Sequence, residues 1–77
     1  MLGTVVANPK FPIVQLENGL YSLVELLGGY DVELGDEFSG NLDEEGSCEI
    51  MNLTQNEEMS VVVQYVAPTI QQILKIC

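Results

Sequence analysis

The sequence predicts a mostly-β domain, a small five- to six-stranded barrel with a short C-terminal helix. Three observations predict it. Short runs rich in Val, Ile, Leu and Tyr recur along the chain, separated by Gly, Asn and Asp, which is the pattern of a sandwich or barrel. An Asn-Gly pair, Asn18-Gly19, stands between two such runs. Residues 68–77 then abandon the alternation of strands for a helical period. All 77 residues fit one domain, 1–77, and a chain of this length buries only about 60% of its unfolded surface, so a thin core is expected.

The elements follow in order. "TVVA", Thr4 to Ala7, is a β-branched run that ends at Asn8-Pro9, and Pro9 and Pro12 make 8–12 irregular or a sheet edge. In "PIVQLENGLYSLVELLGG" the Asn-Gly pair predicts a two-residue type I′ hairpin, because both central residues then need positive φ. That turn pairs Glu17 with Leu20, Leu16 with Tyr21, Gln15 with Ser22, Val14 with Leu23 and Ile13 with Val24. Val14, Leu16, Tyr21 and Leu23 become core, while Gln15, Glu17 and Ser22 face solvent and Leu20 is out of place. Ile13, Val24 and Leu26 make the second face apolar farther from the turn, which predicts strands that coil or are covered from behind.

Gly28-Gly29 ends this run. "YDVEL" alternates, with Tyr30, Val32 and Leu34 inward and Asp31 and Glu33 outward. Gly35-Asp36 is a turn signal, Phe38 and Leu42 flank Ser39-Gly40-Asn41 in a strand or an extended bend, and "DEEGS" is a loop. "CEIMNL" is a weak strand with Ile50 inward, and "TQNE" is a turn. "EMSVVVQYV" is the strongest strand, with Met59, Val61, Val63 and Tyr65 on one face, and its polar flanks predict a central position. In "APTIQQILKIC", Ile70, Ile73, Leu74 and Cys77 fall at i, i+3, i+4 and i+7, one apolar stripe of a helix over 68–77. Pro68 suits its first turn or Thr69 caps it. So short a helix forms only if it docks; the segment could plug an open barrel end, lie in a partner's groove or continue as a strand.

The order of parts, a curved hairpin, an x-x-G-D turn into the next strand, a loop and then closing strands, resembles an OB-like barrel over roughly residues 3–66. "ELGDEFSG" is similar to the Gly-Asp turn of bacterial RNA-binding OB modules, and the whole chain also looks like short uncharacterised bacterial proteins of this pattern, which have no assigned activity. The fold class is therefore OB-like or SH3-like. The resemblance implies single-strand binding through stacked aromatics and a basic groove. The aromatics exist, Phe11, Tyr21, Tyr30, Phe38 and Tyr65, all at core-like positions. The basic groove does not: there is no Arg and only Lys10 and Lys75. Phosphate contacts dominate such affinity, so nucleic acid is not the expected partner.

The formal net charge is −10, and all 12 acids lie between Glu17 and Glu58. Such a surface repels anionic membranes. No run reaches the roughly 18 apolar residues of a membrane span. "MLGTVVANPKFP" lacks a basic n-region followed by an apolar one, and a cytoplasmic location is expected. Two cysteines, Cys48 and Cys77, with no His, make neither a disulfide framework nor a zinc site. In a reducing compartment both are expected as free, partly buried thiols, the alternative being one bridge.

Catalysis is thinly supplied, and the chain is read as noncatalytic with no cofactor. The four serines, Ser22, Ser39, Ser47 and Ser60, have no evident base, and neither Cys has a group to make it a thiolate. Asp36 and Glu37 sit together beside Gly35, where solvated charge is the expectation. Asn41, Asp43, Glu45 and Gly46 match positions 1, 3, 5 and 6 of an EF-hand loop, but position 12 is Asn52 and no helices flank it. Asn41, Asp43 and Glu45 are weak metal candidates on that ground. The leading reading is a protein-interaction module whose acidic surface, Asp31, Glu33, Asp36, Glu37, Asp43, Glu44 and Glu45, meets a basic partner. The alternative is a divalent-cation-responsive domain using the 31–45 cluster. A homodimer is a further expectation, built on the Ile70, Ile73, Leu74 and Cys77 stripe or on an edge strand near 4–7.

Overall fold

The computed structural model describes residues 1–76. Six strands form a closed antiparallel barrel: β1 (Leu2–Ala7), β2 (Ile13–Leu16), β3 (Tyr21–Leu26), β4 (Glu37–Ser39), β5 (Gly46–Asn52) and β6 (Glu57–Ala67). One short helix, α1 (Ile70–Leu74), follows. The ring order is β1-β2-β3-β6-β5-β4, with β4 pairing back onto β1. The chain thus makes two three-stranded meanders, joined by the crossover of residues 27–36. β6 is long enough to bind both: residues 57–63 pair with β5 and residues 61–67 with β3. β1, the expected edge strand, has a neighbour on each side. No helix among the described residues is long and apolar enough to cross a membrane.

The Asn18-Gly19 hairpin forms, but its loop is three residues long and the register differs by one from the expected pairing. Gly19 N–H donates to Leu16 O at 3.0 Å, and Leu16 N–H donates to Leu20 O at 2.8 Å. Of the Asn-Gly pair, only Gly19 adopts positive φ, at 90°. Asn18 instead uses its side chain, whose Oδ1 accepts from Leu20 N–H at 3.0 Å. This is a turn closed by a glycine bulge, the commonest three-residue solution. The shift pairs Val14 with Ser22 and Ile13 with Leu23. It turns Leu20, Ser22, Val24 and Leu26 toward the barrel interior and Tyr21 and Leu23 away from it, because a one-residue slip exchanges the faces of a strand. Leu20 is therefore in place after all, and Ser22, expected at the surface, is fully buried with an unpartnered Oγ.

Inside the barrel, Val5, Val14, Leu16, Val24, Phe38, Leu42, Ile50, Met59, Val61 and Val63 form one cluster, joined by Val32 from the crossover. Gly3 belongs to the same inner row, and a Cβ there would collide with the Val14 side chain and stand 2.9 Å from Leu16 Cδ2. Only glycine lets β1 approach β2 this closely. Residues 30–34 are not the expected strand. They are extended crossover that buries Val32 and half-buries Tyr30, leaving Leu34 exposed in the turn. Phe11, expected in the core, is also exposed.

A second cluster lies on the outside of the barrel: Ile13, Leu23, Ala67 and Ile73, with Ala7, Tyr21, Tyr65 and Ile70 against it. Two bulges create it. On β1, Val5 pairs with Val14 but Ala7 pairs with Ile13, so Val6 is an extra residue. On β6, Val63 pairs with Val24 but Tyr65 pairs with Leu23, so Gln64 is an extra residue. Each inserted residue reverses the inward-outward alternation beyond it. Tyr65 thereby leaves the face of Met59, Val61 and Val63 on which alternation placed it. Against this outer patch lies α1, started by Thr69, whose Oγ1 accepts from Gln72 N–H. The helix covers the barrel wall rather than an open end. Ile70 and Ile73 of the apolar stripe dock there, Leu74 stays exposed, and Cys77 lies outside the described residues.

The helix should be held by Ile73 alone among its fully buried side chains. Ile73→Ala is expected to cost about 2 kcal/mol or more, whereas the exposed Leu74→Ala should stay within about 0.5 kcal/mol. Urea midpoints at unchanged m-value check both.

Candidate acidic binding surface

The seven acidic candidates do not form one patch, and one of them is not at the surface. Asp36 is 3% exposed. Gly35, at φ 89°, turns the crossover onto β1, where its N–H donates to Val5 O at 2.8 Å. Val5 N–H in turn donates to Asp36 O at 2.9 Å. This anchorage points the Asp36 side chain inward. Its Oδ2 accepts from Glu33 N–H at 3.1 Å, Asn52 Nδ2 at 2.9 Å and Gln55 Nε2 at 2.8 Å. Asn52 is itself fully buried, and its Oδ1 accepts from Gln55 N–H at 3.1 Å. Gln55 Nε2 also donates to Asp31 O. The expectation of a solvated Asp36 is corrected: a buried carboxylate is tolerated where donors replace its water. Burial pushes the Asp36 carboxyl up. The bonds from Asn52, Glu33 and Gln55 outweigh that and hold it below its ordinary value.

The remaining candidates stand at the two ends of β4. Asp31, Glu33 and Glu37 lie before or at its start and are exposed; Glu44 and Glu45 are exposed and Asp43 half-buried in the loop after it. Asn41 Nδ2 faces Glu44 Oε2 at 3.5 Å rather than joining Asp43 and Glu45. Among the described residues no group of three or more His, Cys, Asp or Glu side chains could hold a metal ion. Cys48 is a free, half-buried thiol, and burial raises its pKa, which keeps it protonated and a weak nucleophile.

Strand pairing assembles a different acidic face. On the outside of β1, Thr4 lies between Gln15 and Glu37. Glu17 closes the other end of this strip, with its N–H donating to Leu2 O at 2.9 Å and its Oε1 accepting from Leu2 N–H at 2.8 Å. A shallow groove of about 500 Å³ runs here, lined by Leu2, Thr4, Gln15, Glu17 and Glu37 among others. The outer row continues from Leu2 to Ser39, Met51 and Glu58, with Glu49 beside Ser60 one step on. Leu2 is 43% exposed and Met51 half-buried. The wall of β1, β4, β5 and the start of β6 thus carries Glu17, Glu37, Glu49 and Glu58 around two apolar side chains. Of these only Glu37 was singled out by sequence. The other three are scattered over 42 positions, from Glu17 to Glu58, and only the register brings them onto one wall.

The Asp36 bonds set an acid limit on stability. A carboxyl whose folded pKa is depressed contributes fully above its unfolded pKa, about 4, and the contribution is lost as pH falls through the folded value. Melting temperature should therefore fall below about pH 4. Asp36→Asn should cost about 1–3 kcal/mol at neutral pH, where an amide cannot accept three donors at one oxygen, and should flatten part of the acid decline. Thermal melts of both proteins from neutral to acid pH measure this.

Compared with known proteins, the chain matches no family model, no curated protein and no solved structure.

Proposed function

We propose that the chain is a noncatalytic protein-interaction module whose bare barrel wall receives a basic segment of another protein. The observation that carries this reading is the division of the barrel's outside. The part built from β2, β3 and the end of β6 is apolar and covered by α1. Among the described residues the β1-β4-β5 wall is left exposed and presents Glu17, Glu37, Glu49 and Glu58 beside Leu2 and Met51. Neither base of the chain belongs to that wall's strands. Lys and Arg side chains suit such a surface, since their aliphatic stems cover apolar atoms while their heads reach carboxylates. Each exposed pair contributes only about 0–1 kcal/mol. Together the acids steer a basic partner into contact. A cytoplasmic setting accords with this reading, since a free thiol such as that of Cys48 persists in a reducing compartment.

A short Lys-rich peptide is the probe. Titration followed by amide shifts should perturb Leu2, Thr4, Ser39 and Met51 most. Affinity should fall steeply with salt, and Glu17→Lys with Glu37→Lys should weaken it by about tenfold or more. Equal shifts with a neutral peptide, or shifts confined to 31–33 and 43–45, would overturn the proposal.

A further inference from the structure

The turn between β2 and β3 carries the chain's one Asn-Gly pair, Asn18-Gly19. Both residues are exposed, and a Cβ added to Gly19 would meet nothing within 4 Å, so water reaches the dipeptide from outside. An asparagine loses its side-chain amide when the backbone nitrogen of the next residue attacks its Cγ. A glycine in that next place leaves the nitrogen unshielded by any side chain. The other asparagines are poorer candidates. Asn8 precedes Pro9, which has no N–H to give up. Asn52 is fully buried, with Nδ2 bonded to Asp36 and Oδ1 bonded to Gln55. Asn41 and Asn56 precede Leu42 and Glu57, whose side chains crowd the attacking nitrogen.

We infer that Asn18 is a deamidation site of this chain, gated by opening of the turn. The two hydrogen bonds of the turn act in opposite senses. Leu20 N–H donates to Asn18 Oδ1 at 3.0 Å and polarises the carbonyl that is attacked. Gly19 N–H donates to Leu16 O at 3.0 Å, and while that bond stands the nucleophile keeps its proton. Reaction therefore starts when the loop opens locally. The Gly19 nitrogen then gives its proton to hydroxide and bonds to Asn18 Cγ. The Cγ–Nδ2 bond breaks, and Nδ2 takes a proton from water and leaves as ammonia. Water adds to one of the two carbonyls of the resulting succinimide and reopens the ring. The product is aspartate at position 18 or, with the main chain running through Cβ, isoaspartate; one water is consumed and one ammonia released. Either product adds a carboxylate beside Glu17, in the groove that Glu17, Gly19 and Glu37 line. Aspartate still accepts from Leu20 N–H. Isoaspartate lengthens the loop that fixes the register of β2 on β3.

Incubation of the intact chain at mildly alkaline pH, in native buffer and in urea, tests it. In both media, mass spectrometry and ion exchange should show a species with one more negative charge. Peptide mapping should place the change at Asn18, as a mixture of aspartate and isoaspartate. Conversion should be at least about tenfold slower in the folded chain than in urea, as for a nitrogen released only by opening of the turn. Asn18→Ser should abolish the species, and its urea arm reads this whether or not the variant folds. Asn18→Asp should melt as the wild type does, and the separated isoaspartate fraction should melt at a lower temperature. A folded chain that stays unconverted over many times the period that completes the urea arm overturns the inference. So do equal rates in the two media, or a first change at Asn41 or Asn56. All these readouts are taken on the chain alone and do not rest on what the acidic wall binds.

Discussion

Taking a carboxylate out of water costs free energy that only well-placed donors offset, and Asp36 receives three, from the crossover, from β5 and from the β5–β6 turn. The place matters. β4 is three residues long and holds β1 through three residue pairs and β5 through two. So short a strand is the weakest stave of the ring. Asp36 stands immediately before it, with its backbone bonded to Val5 and its side chain bonded across to Asn52 and Gln55. The carboxylate thus ties both neighbours of β4 to each other at the point where the strand alone would hold them least. In a domain whose core is thin, a fully satisfied buried network also selects one register over its neighbours.

The second constraint is parity. A strand that obeyed strict alternation would place one apolar set inside and leave the other wet. β1 and β6 each insert one residue, Val6 and Gln64, and from there onward their alternation is reversed. The reversals bring Ala7, Tyr65 and Ala67 out beside Ile13 and Leu23. That gives a five-residue helix, far too short to persist alone, an apolar wall to lie on. The hairpin of β2 and β3 is apolar on one side near its tip and on both sides farther along, and the reversals supply neighbours for its outer apolar residues, Ile13 and Leu23. Its outer side is covered by α1.

The covering of one wall defines the other. Once the helix occupies the β2-β3-β6 side, the acids of the remaining wall face solvent in a group. Charge is thus segregated by the fold as well as by the order of the chain. The bare acidic wall is a consequence of where α1 docks.

Much of the fold was legible along the chain. The strands of the two meanders, the central place of β6, the burial of Phe38, Leu42 and Ile50, the helix and its Thr69 cap all follow from local period and turn chemistry. What sequence could not show depends on pairing. The Asn18-Gly19 signal announces a hairpin, but one residue of loop length separates two registers, and the same dipeptide serves both. A bulge leaves no compositional mark, so Tyr65 reads as core until Leu23 and Val24 are seen opposite. Asp36 looks solvated because an acid beside a glycine turn usually is, and its donors come from positions 33, 52 and 55. The sequence by itself determined a small, strongly acidic, mostly-β domain with a helix at its end, because composition and period are local properties. Only the tertiary structure decided which acid is buried, which acids share a wall and what the helix covers, because those depend on contacts between residues far apart in the chain.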